Sequence, residues 1–278
     1  MKDVFIATEI ACLAQDKDDA LYFLEIAFRK GLNIKAVMMT DVIFKYLCRS
    51  DEQKNKVDKI YKSSRDVYLS SIDFNYRNQI SCLMRKDDLY KLVPISWRTQ
   101  SLRDSLYDVA LNQNLTDLVC LIDNFGFPGE SKTGIVDPEL DFFNEDDFYL
   151  RLCPIIDILF YHNSCTFQLL RQKCDRALHT GDLDPDIYAL MYEWSYVDLK
   201  YKKNESRYKY RNTCVCNIDT MKCNYNIYID PVYYSKDIAH VDSCRKNIGM
   251  ASVRQNNDKK EFEKQFKVKL FFGIFSKY

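Results

Sequence analysis

The sequence predicts a mainly α-helical protein, with antiparallel helix pairs over residues 1–199 and a smaller basic α/β module over residues 200–278. Three observations point there. Apolar residues recur three and four apart through most of the first 199 residues, glycine and proline are scarce at seven and six, and both pattern and charge change near residue 200. With 278 residues, 47% of them hydrophobic, the chain can bury a sizeable core without help from a metal or disulfides.

Taken in order, MKDVFIATEIACLA reads as a helix. Asp3 beside the only lysine and Glu9 within the apolar stretch argue against a secretion signal. Helical spacing continues in residues 18–30, 37–49, 101–113 and 115–125, with short turn signals between neighbours. The weakly charged run 152–170 holds Pro154, Asp157, His162, Asn163, Ser164 and Gln168, too polar for a membrane span. Residues 200–212, KYKKNESRYKYRN, are polar, basic and rich in tyrosine, and mark the expected boundary. Beyond it, residues 212–230 alternate and favour β-structure, reading as a hairpin turned near Asp219. Residues 259–272 then read as a short helix running into a final strand.

The net charge is zero, but residues 200–278 carry seventeen Lys and Arg against eight Asp and Glu, so the first 199 residues carry nine negative charges in excess. This asymmetry predicts two surfaces with different partners, or surfaces that attract each other. Eleven cysteines without a secretion signal imply reduced thiols and a cytoplasmic or nuclear location.

Residues 104–126, DSLYDVALNQNLTDLVCLIDNFG, read as two short helices joined by a polar turn at Asn112-Gln113-Asn114. Leu106 and Ala110 lie on the first helix, and Leu115, Leu118, Leu121 and Ile122 on the second. This segment resembles the helix pair of an ankyrin repeat, with echoes at residues 11–34 and 174–196, the latter with Gly181 at its turn. Departures are plain: Asp104-Ser105-Leu106-Tyr107 stands where that family has Thr-Pro-Leu-His, and Gln113 stands where its turn glycine belongs. The resemblance implies a divergent helical repeat that binds other proteins. Degenerate helical-repeat proteins that bind host factors are common in large DNA viruses of eukaryotes, and their Lys, Tyr, Asn and Asp usage is similar.

Four stretches invite a chemical reading. Cys214, Cys216, Cys223, His240 and Cys244 offer five soft or imidazole ligands for a structural zinc, which needs four at tetrahedral corners; the bland reading has the cysteines filling a core. GFPGESKTG, residues 126–134, suggests a phosphate-binding loop but has Ser131 before Lys132 where glycine is required, so a surface loop is expected. The basic, tyrosine-rich residues 200–212 suit a nucleic-acid backbone, but a solvated linker or a face docking on the acidic helical part is expected. The acidic run 137–147 lacks a calcium-loop pattern and is expected to be an exposed loop. His162, His179 and His240 sit in no recognisable catalytic motif. The expectation is therefore a non-enzymatic adaptor that binds another protein. The alternative is a nucleic-acid-binding regulator using a zinc-stabilised module at residues 200–278.

Overall fold

A computed structural model describes residues 1–91, 100–141, 165–189, 191 and 238–270, and these are mainly helical. They fall into two compact units, each assembled from separated stretches: residues 1–74, 130–155 and 257–278 in the first, and 75–129 and 156–256 in the second. Neither unit ends near residue 200.

The first unit begins with α1 (Lys2–Leu13) and α2 (Lys17–Arg29), joined by a tight turn. Asn33 then opens α3 (Ile34–Met39), followed by α4 (Asp41–Leu47) and the long α5 (Asp51–Ser71). Each start has a local cause. The Asp16 side chain accepts the Asp19 amide at 3.1 Å, Asn33 accepts that of Lys35 at 2.9 Å, and Ser50 with Gln53 forms a reciprocal capping box. The single helix expected over residues 37–49 is instead broken at Thr40, whose extended backbone separates α3 from α4 while its hydroxyl donates to the Ala36 carbonyl at 2.7 Å.

α1 and α2 end alike. After α1, the Gln15 amide returns to Cys12 and the Asp16 amide to Ala11; after α2, Gly31 returns to Phe28 and Leu32 to Ala27. Both motifs need a left-handed residue, Gln15 at φ 59° and Gly31 at φ 99°. Only Gly31 is forced by its neighbours as well, because a Cβ there would stand 2.5 Å from the Tyr68 ring. The core of this unit gathers Phe5, Leu24, Phe28, Leu32, Ile43, Leu47 and Val57 from these helices, together with Ile135. Each such side chain contributes about 1.5–3 kcal/mol when fully withdrawn from water.

The second unit holds α6 (Phe74–Lys91), apart from its first residue, and α7 (Gln100–Phe125). Residues 104–126, read above as two helices with a turn at Asn112-Gln113-Asn114, form one unbroken helix up to Phe125. The polar side chains that signalled a turn bond elsewhere: Gln113 donates to Asp117 at 2.8 Å, and Asn114 reaches across to the Leu83 carbonyl of α6 at 3.4 Å. Leu115, Leu118 and Ile122 stay on one buried face, and Lys86 pairs with Asp117 at 3.3 Å. At the far end Tyr76 donates to the Gly126 carbonyl at 2.7 Å, its ring against Phe125.

α8 (Glu130–Thr133) is a single turn belonging to the first unit. α9 (Cys165–Thr180) ends at Gly181 in the same left-handed manner as α2, and a short helix over residues 185–189 follows. Tyr188 of that helix bonds Asp175 at 2.6 Å and meets the Phe167 ring edge-on. α10 (Ile238–Asn247) and α11 (Val253–Phe266) complete the described elements, the latter opened by a capping box of Ser252 and Gln255. The helix expected from residue 259 is thus longer, starting at Val253. Residues 268–270 after it are not a strand, residues 271–278 lie outside the described residues, and so does the hairpin expected at 212–230.

Candidate functional site

Among the described residues a concavity lies where α1 meets α4. Cys12, Leu13 and Gln15 come from the end of α1, Val42, Lys45 and Tyr46 from α4, and Arg49 from the residues after it, around a groove of about 370 Å³. The termination of α1 at Leu13 turns Gln15 to one side, and the break at Thr40 lets α4 restart at its own angle. Helical spacing then sets Val42, Lys45, Tyr46 and Arg49 along one side of α4 and its continuation. Its lining is mixed: Leu13, Val42 and Tyr46 are apolar or aromatic, and Gln15, Lys45 and Arg49 are polar or cationic.

The electrostatics are local. Lys45 bonds Asp41 one turn back at 2.6 Å and holds that carboxylate below its ordinary range, while the Arg49 Nε donates to the Lys45 carbonyl. Burial pushes the Cys12 thiol up to about 12, with Glu9 adding to the effect, and burial likewise raises Cys48. Both are thiols rather than thiolates at neutral pH, the reverse of what a cysteine nucleophile needs. Met39 and Phe44, on α3 and α4, are 47% and 39% exposed, and Ile10, one turn before Leu13, is 45% exposed. The groove can hold a chain with apolar side chains and an acidic group; it contains no nucleophile–base pair.

A second polar cluster in the same unit corrects the expectation of an exposed acidic loop. Asp137 is fully buried and ion-paired with Arg65 of α5, and Glu139 lies 3.4 Å from the same guanidinium. Glu139 also accepts from Asn33 at 2.9 Å and from Tyr61 at 3.2 Å. Burial alone would lower the Arg65 pKa, but Asp137, Tyr61 and Glu139 together raise it; burial raises that of Tyr61. Asp141, also buried, accepts the Asp137 amide at 2.8 Å. Asp137 turns inward to the buried Arg65 guanidinium and Asp141 accepts its amide, while the exposed Glu139 adds contacts to Arg65 and Tyr61 that fasten the segment to α5. Residues 142–147 lie outside the described residues.

Cys214, Cys216 and Cys223, of the expected zinc set, lie outside the described residues, as do residues 200–212 and His162. His240 and Cys244 stand one turn apart on α10. Cys244 is buried, while Cys12, Cys48, Cys82, Cys120 and Cys174 are free thiols. Among the described residues no group of three or more His, Cys, Asp or Glu side chains is arranged to hold a metal ion.

In residues 126–134, Gly126 and Gly134 take left-handed backbone at φ 80° and 72°, and Gly129 serves packing. A Cβ on Gly129 would meet the Asp182 backbone at 2.6 Å, and Glu130 accepts from the Met1 amino group at 2.8 Å. His179 contacts the Asp175 carbonyl through Nδ1 on an exposed helix face. No described helix is long and apolar enough to cross a membrane. The groove and the buried Arg65–Asp137 pair escaped sequence reasoning, since each joins residues from distant segments. No protein-family model, no curated protein and no solved structure matches the chain.

Proposed function

We propose that the protein is a non-enzymatic interaction protein that holds a segment of another protein in the α1–α4 groove. The observation that carries this reading is the lining itself, a mixed surface in which Leu13, Val42 and Tyr46 stand among Gln15, Lys45 and Arg49. The occupant is a short segment pairing aliphatic or aromatic side chains with Asp or Glu, since apolar burial supplies affinity and the cations supply orientation.

Panning a displayed random peptide library on the full chain tests this. Selected sequences should combine acidic with large apolar residues. Their affinity should fall about tenfold or more in Leu13→Asp or Arg49→Glu, roughly 1.4 kcal/mol. Peptides bound equally well by both variants would sink the reading. A second reading, nucleic-acid binding through residues 200–278, draws on the surplus of nine positive charges there. It requires salt-dependent retention of the full chain on a polyanion column, and its zinc-stabilised form requires stoichiometric zinc in protein purified without chelator.

A further inference from the structure

Glu9 is a carboxylic acid on α1 that is 1% exposed, withdrawn from water within a helix that otherwise buries Phe5, Ala11 and Cys12. One oxygen accepts the Lys269 amide at 3.3 Å, and the other has no hydrogen-bond partner among the described residues. The next amide, Leu270, donates to Glu263 of α11 at 2.5 Å. Two carboxyl groups from different helices thus grip consecutive amides of the segment leaving α11. The segment is built to be placed there. Lys267, at φ 55°, returns its amide to the Glu263 carbonyl and turns the chain at the end of α11, and Val268 and Leu270 are both buried.

We propose that Glu9 is a proton-controlled latch, holding residues 267–270 against α1 while protonated and releasing them when ionised. A buried carboxylate with one oxygen unpartnered is costly, whereas the neutral acid leaves one weak group unpaired and keeps the bond to Lys269. Facing Glu9 are Glu263 on α11 and Lys269 on the segment itself; on its own helix Cys12 stays neutral, and so does the Cys48 thiol beyond it. The neighbouring helices α2 and α4 bury Ala20, Leu24, Ala27, Phe28, Ile43 and Leu47, which carry no charge. Burial first, then Glu263, push the Glu9 pKa up to about 7, against the Lys269 amide and charge, which pull it down. Since the folded-state pKa lies above the ordinary glutamate value of 4.5, the folded chain retains a proton that the unfolded chain gives up. This stabilisation is complete below about pH 4.5 and lost as pH rises through about 7. The latch is independent of what occupies the groove.

Hydrogen exchange across residues 266–270 of the full chain, corrected for intrinsic rates, reads the latch directly. Protection should fall about tenfold or more between about pH 5.5 and about pH 8.5. Glu9→Gln, which mimics the neutral acid, should stay protected throughout. Glu263→Gln should keep the transition and move its midpoint lower, because a repelling carboxylate is gone. Protection that does not change with pH in the unaltered chain, or a transition that survives Glu9→Gln, overturns the proposal. Should Glu9→Gln not fold, the carboxyl carbon shift of Glu9 in the unaltered chain decides: a midpoint near about 7 supports the latch, and one near that of a free glutamate, about 4.3, overturns it.

Discussion

Residues 11–34 and 104–126 both read as two helices joined by a polar turn, yet the chain turns in the first and runs straight through the second. The difference lies in what the polar residues do. At residues 14–16, Gln15 takes a left-handed conformation, its amide and that of Asp16 close the end of α1, and the Asp16 side chain opens α2. At residues 112–114 no residue caps anything: Gln113 bonds forward to Asp117, Asn114 bonds sideways to α6, and both leave the helical ladder intact. A polar cluster ends a helix only when it supplies a stop and a new start together.

The comparison can be broken most severely at Gln113→Pro. In an unbroken helix proline removes a backbone bond and clashes with the preceding turn, which should cost about 3 kcal/mol or more. Denaturant midpoints that barely move would restore the turn. Gly31→Ala tests the stop of α2 that parallels Gln15. A left-handed alanine costs roughly 1–2 kcal/mol and displacing the Tyr68 ring about 1–3 more, so a loss of about 2–5 kcal/mol is expected, readable as a lower melting temperature. Asp16→Ala removes only the start signal of α2 and should cost about 1 kcal/mol, with Asp16→Gly costing a few tenths; equal losses would show that the side-chain cap contributes nothing. The smallest effect has the opposite sign. Gln15→Gly relieves a left-handed side chain that nothing compels, and chemical denaturation should show a gain of about 0.5–1 kcal/mol. A loss would mean that the Gln15 side chain holds the turn.

Much of the fold was legible because its causes are local. α1 and α2 follow from apolar spacing, and Gly181 ends α9 by a turn, as its sequence suggests. The break at Thr40 was not visible, since a threonine in a helical pattern signals nothing until its hydroxyl is seen bonding one turn back. The candidate site was less legible than the fold. Leu13 and Arg49 belong to separate helical segments, and only the packing of α1 on α4 makes one groove of them.

The sequence by itself determined that this is a mainly helical protein, that α1 and α2 are helices, and that the chain turns at Gly181 where α9 ends. These depend on hydrogen bonds reaching two to five residues along the chain. Tertiary structure alone decided which polar groups leave water. Asp137 is buried because Arg65 meets it, and Glu9 becomes a weaker acid because packing withdraws it from water and Glu263 repels its charge, against the pull of Lys269, 260 residues away. Burial of a charge depends on the whole surface that covers it, and no window of sequence contains that surface.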